Sequence, residues 1–62
     1  MKEYVEFESN VIKFVKRGLM EQEEAIGRCV GYLHAMVDFG ILPECRLSDE
    51  ITITTRKILE IK

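Results

Sequence analysis

Few residues in this 62-residue chain have the chemistry to act: one histidine, two cysteines and a short cluster of bases. His34 and Asp38 stand four apart, a spacing that brings two side chains together on one face of a helix. In an enzyme, such a pair would be a general base oriented by a carboxylate. The sequence supplies no nucleophile to go with it. Ser9 and Ser48 both sit where helix caps are expected, and the chain holds neither a G-x-S-x-G elbow nor a G-x-x-x-x-G-K-S/T phosphate loop. His34 and Asp38 therefore read as a solvated or capping pair, and no catalytic residue and no enzyme activity are expected.

A metal would have to draw on Cys29, His34, Asp38 and Cys45. Structural zinc takes four converging ligands. Cys29 and His34, five apart, point about 140° away from each other around a helix, so they do not grip one ion. His34 with Asp38 offers two ligands, and only a symmetric pair of chains would complete four. No metal and no cofactor are expected. Cys29 reads as a small core residue and Cys45 as a loop thiol. Two cysteines are too few for a disulfide framework. The opening "MKEYVEFESN" is acidic and lacks the apolar stretch of a secretion signal. No apolar run approaches the 18 residues or so that cross a bilayer. The expected location is the cytoplasm, where a Cys29–Cys45 bridge is disfavoured.

Lys13, Lys16 and Arg17 form the one cluster of bases, with Arg56 and Lys57 as candidates to join it. Phosphate contacts come from such patches, and a small nucleic-acid-associated regulator is the alternative reading. Against it, the formal net charge is −2 and the isoelectric point about 5.3, whereas nucleic-acid binders usually carry a basic excess. A helix-turn-helix fails on spacing. Counted from Ala25, its turn would fall near Cys29, and the hydrophobic periodicity runs on unbroken there. A membrane-surface helix is opposed by Glu3, Glu6 and Glu8.

The elements that position these residues follow from punctuation and period. Hydrophobic residues make up 47% and charged residues 32%, a globular rather than disordered balance. Gly18 and "FGILPE" divide the chain into segments of about 3–17, 20–41 and 48–62, in a single domain spanning 1–62. In the first, Tyr4, Phe7, Val11 and Phe14 recur at spacings of three and four, widened by Val5, Ile12 and Val15. Lys13, Lys16, Arg17, Glu6 and Ser9 fall opposite, and Gly18 is placed to end the helix. Ser9 and Asn10 offer a rival start, which would leave "KEYVEFE" as a strand.

The second segment predicts a long central helix. Glu21, Glu23 and Glu24 suit its N-terminus. Ala25, Ile26, Cys29, Val30, Leu33, Met36, Val37 and Ile41 follow at helical spacing, and Gly40 and Pro43 end it. Tyr32 and Phe39 extend the apolar arc to roughly 200°, twice the stripe of an ordinary surface helix. The narrow face that remains holds Gly27, Gly31, His34 and Asp38. Each glycine costs about 0.8–1 kcal/mol relative to alanine in a helix interior. Either the apolar arc holds the helix firmly enough to tolerate this, or the missing side chains admit another backbone: the third segment, a second copy or a target protein.

The third segment, "LSDEITITTRKILEIK", is balanced between two forms. Ser48, Asp49 and Glu50 look like a helix start, and Leu47, Ile51, Ile58 and Ile61 then share a face. Ile53 fits that face poorly, and the β-branched content favours a strand. The fold expected is all-α, a small helical hairpin or three-helix bundle around the long central helix. The alternative is α+β, with residues 2–8 and 51–61 paired as strands. A chain this short buries only about 60% of the surface its unfolded form exposes, and small scaffolds often compensate by oligomerising. The leading expectation is a non-enzymatic protein-interaction module, dimeric through Gly27, Gly31, Tyr32, Met36 and Phe39, that modulates a larger protein target.

Overall fold

The computed structural model describes residues 2–61. Three helices follow one another: α1 over Lys2–Lys16, α2 over Gln22–Asp38 and α3 over Leu47–Leu59. A single 3₁₀ turn, Glu44–Arg46, leads into α3. The fold is an all-α helical bundle, and no strand occurs among the described residues. The α+β alternative is overturned: residues 2–8 open α1 without a break at Ser9 or Asn10, and residues 51–59 lie inside α3. The β-branched residues of α3 are outweighed because its helical phase puts Thr54 and Ile58 in the core.

Both long connections are set by glycine. Gly18 has φ +74° and Gly40 has φ +75°, a left-handed conformation that costs glycine little. At each, the same pair of bonds closes the helix. The Gly18 N–H donates to the Val15 carbonyl at 3.0 Å and the Leu19 N–H to the Phe14 carbonyl at 2.9 Å. The Gly40 N–H donates to Val37 at 3.0 Å and the Ile41 N–H to Met36 at 2.8 Å. These are two Schellman motifs, which satisfy carbonyls that the helix end would otherwise leave open.

The start of α3 departs from expectation. Ser48 does not cap it. The helix begins at Leu47, preceded by Arg46 in a near-helical conformation (φ −93°, ψ −12°), and no side chain caps it. The 3₁₀ turn after Pro43 already supplies helical backbone, so the chain enters α3 without the extended residue that a cap needs. Ser48 instead offers its carbonyl to the Thr52 hydroxyl at 3.0 Å.

Packing follows from the broad apolar arc of α2, which both other helices cover. Ala25, Cys29 and Leu33 have no exposure at all, and they meet Tyr4 and Val11 of α1, Ile58 of α3 and Leu42 of the second connection. Leu47 and Ile51 are half-buried on the core side of α3, whereas Ile53 stays 48% exposed. Gln22, in the first turn of α2, reaches across to α3 and donates its side-chain amide to the carbonyls of Ile58 at 3.1 Å and Ile61 at 2.9 Å. It thereby closes the end of α3 from a neighbouring helix. Among the described residues, no helix is long and apolar enough to cross a membrane.

Candidate functional site

Several apolar side chains outside the core are exposed, Leu19, Leu59 and Val5 among them, but two places gather the departures from apolar inside and polar outside. The first is the seam between α1 and α3. Glu8 lies on the core side of α1, one turn from Tyr4 and close to Val11, and only 6% of it is exposed. Thr54 comes from α3, at 1% exposure. The Thr54 hydroxyl donates to one Glu8 carboxylate oxygen at 2.6 Å, and the Lys57 ammonium donates to the other at 3.0 Å. Thr54 has a single proton and gives it to Glu8, so the bond between Thr54 and Tyr4 must be donated by the Tyr4 hydroxyl. Tyr4 also lies 3.4 Å from Glu8. No buried side-chain nitrogen or oxygen lacks a partner among the described residues.

This cluster is closed. Burial pushes the Tyr4 hydroxyl well above the usual phenol range. Burial also pushes the Cys29 thiol up, and the Glu8 charge acts in the same direction. A thiol that is fully buried and held protonated is a poor nucleophile. The cluster locks α1 to α3 and offers no opening to a substrate. The sequence carried a signal for it: Glu8 falls on the apolar side of the first helix, and Thr54 falls between Ile51 and Ile58.

The second place is the exposed end of α2. Phe39, which caps the helix, is 80% exposed, and Ile41 beside it is 63% exposed. With Tyr32, Ala35 and Met36 they line an apolar hollow of about 230 Å³. Tyr32 is only half open, because Phe7 stacks on it at 4.7 Å between ring centroids and Tyr4 leans on it at 5.6 Å. Met36 is 5% exposed and forms the floor of the hollow rather than its rim. Gly27 and Gly31 lie further along the solvent side of α2, with nothing within 4 Å of where a Cβ would stand. The chain's own third segment therefore does not approach them. Of the five expected interface residues, Tyr32, Met36 and Phe39 share one surface. The two glycines sit around the helix from it, with exposed Ala35 between.

The remaining candidates are scattered. His34 and Asp38 are exposed on α2 and form no ion pair with each other. Cys29 is a buried thiol and Cys45 an exposed one in the 3₁₀ turn. No group of three or more potential metal ligands occurs among the described residues. Lys13, Lys16 and Arg17 are exposed and, with Ser9 and Ile12, line a shallow cavity of about 480 Å³. Comparison with protein families, curated proteins and solved structures finds no match.

Proposed function

We propose that the protein is a small, non-enzymatic interaction module of the cytoplasm that self-associates and modulates a larger protein target. Its docking face is the exposed end of α2. The observation that carries this reading is the exposure of Phe39 and Ile41 around the hollow floored by Met36. Large aromatic side chains at an interface centre supply most of its binding energy, and water gains nothing from holding one out. The sealed state of the polar cluster around Glu8 supports the non-enzymatic part of the reading.

The test has two arms. Light scattering from micromolar to millimolar concentration should show the mass of the wild type rising above 7.2 kDa, and Phe39→Asp should hold it at the monomer value. In parallel, a tagged chain expressed in its native cell should retain a protein that the Phe39→Asp variant does not. A wild type that neither associates nor retains anything through Phe39 would remove the reading.

The hollow ringed by Lys13, Lys16 and Arg17 favours a second reading, contact with nucleic-acid phosphates. Three such contacts predict a binding constant that falls with salt at a logarithmic slope of about −3. The Lys16→Glu, Arg17→Glu variant should abolish it. Absence of binding to DNA and RNA at low salt would dispose of this second role.

A further inference from the structure

We infer that the larger target meets this face with a cationic helix: one apolar side chain seated in the hollow beside Phe39, and lysines or arginines around it. The inference rests on the reading of the α2 end as a docking face and adds the chemistry of the target.

Size sets the first condition. Pockets that enclose a small molecule run to about 300–1,000 Å³. The hollow lined by Tyr32, Ala35, Met36, Phe39 and Ile41 is smaller, about 230 Å³. It suits a single large side chain, and the exposed Phe39 and Ile41 extend the contact beyond it. An apolar side chain presented on an amphipathic helix is the usual guest of such a groove.

Charge sets the second condition. Phe7, in the first half of α1, stacks on Tyr32, in the second half of α2, so the two helices run antiparallel. Glu3 stands one turn before Phe7 on the same face of α1, level with the last turn of α2. Asp38 immediately precedes Phe39, and Glu44 follows shortly after Ile41. All three carboxylates are exposed, and none is in an ion pair among the described residues. Of the bases at this end, Arg46 is already held by Glu50 at 3.2 Å. Lys2 projects about 100° round α1 from Glu3.

The helix ends point to the same sign. α1 and α3 carry bases in their last turns, Lys13 with Lys16 and Arg56 with Lys57, where the helix dipole is negative. The last turn of α2 has none and carries Asp38 instead. No base of α2 offsets the negative pole of that helix, which lies beside the hollow. The exposed ring of Phe39 also attracts a cation over its face. A second copy would bring the same carboxylates towards each other. Salt therefore separates the two occupants, because it weakens a cationic partner and relieves repulsion between copies.

Isothermal titration of the full chain with two designed helical peptides tests this. Both peptides carry the same leucine stripe; one has lysine on its polar face and the other glutamate. The lysine peptide should bind tighter by about tenfold or more, and should weaken as salt rises. Glu3→Lys with Asp38→Lys and Glu44→Lys should invert the preference while helical circular dichroism stays intact. Asp38→Lys alone, which favours the helix end, should move the preference the same way by a smaller factor. Phe39→Ser leaves the charge alone and should weaken the lysine peptide by about fivefold or more. Equal binding of the two peptides overturns the inference, as does a preference that survives both charge reversals. So does a lysine peptide that fails to bind or is indifferent to Phe39→Ser. If neither peptide binds but the wild type self-associates through Phe39, the docking reading stands and only this partner falls.

Discussion

In the seam between α1 and α3 the protein buries a carboxylate and a hydroxyl, while at the end of α2 it leaves a phenyl ring in water. The two regions reverse the ordinary distribution, and they do so with opposite economies. The seam closes on itself: Thr54 and Lys57 take one Glu8 oxygen each, and Tyr4 completes the chain of bonds. Buried polar groups satisfied in this way fix which surfaces meet, and they are costly only when one member is removed. The α2 end stays open to solvent. Phe39 and Ile41 keep most of their surface in water. A buried polar cluster with every partner present therefore marks a structural contact, and the exposed apolar cluster is the surface on which the proposed docking rests.

Substitutions that break the comparison should do so unequally. The largest effect is expected from Thr54→Val, which keeps the volume but removes the hydroxyl that joins Tyr4 to Glu8. It should cost about 2–3 kcal/mol in urea unfolding, because a buried carboxylate loses its shortest hydrogen bond. Tyr4→Phe removes the end of the same chain and should cost about 1–2 kcal/mol.

Alkaline titration acts on the seam too. Tyr4 and Cys29 both hold their protons more tightly when folded than when unfolded. The unfolded chain releases them first, at ordinary thiol and phenol values of roughly 8.5 and 10. Stability from both groups is intact below that range and is lost as pH climbs through it toward the folded values. The urea midpoint should fall above about pH 9, and less steeply in Tyr4→Phe. A midpoint flat to pH 11 would contradict the raised proton affinities.

On the open side the effects shrink and change sign. Gly27→Ala has free space for its methyl group and should raise monomer stability by about 0.8–1 kcal/mol through helix propensity. Phe39→Asp should leave the stability of the dilute monomer within about 0.5 kcal/mol, as exposed substitutions usually do, while it abolishes association. A Phe39→Asp chain that unfolds at low concentration would place that ring in the core and erase the contrast.

The helices were legible wherever one physical signal dominated. The arc from Ala25 to Val37 is too broad for anything but a helix covered twice, and Gly18 and Gly40 stand where each helix needs a left-handed residue. The third segment was harder, because isoleucine and threonine fit a strand as well as a helix, and its cap signal at Ser48 is not used. The burial of Glu8 was illegible for a different reason. An acid in the first half of a helix reads as a partner of the helix dipole and as solvated charge. Its true surroundings come from Thr54 and Lys57, 46 and 49 residues away. The candidate surface was legible in part. Phe39 was named from the arc alone, but the sequence could not show that Phe7 would cover Tyr32 or that Met36 would drop to the floor.

The Gln22 amide ties the order of opening in this bundle to a single side chain. Because the Ile58 carbonyl of α3 and the Ile61 carbonyl just beyond the helix both accept from one side chain in the first turn of α2, fraying of one terminus is coupled to release of the other. Hydrogen exchange at the tail of the third helix is thus governed by the start of the second, and Gln22→Ala should uncouple them.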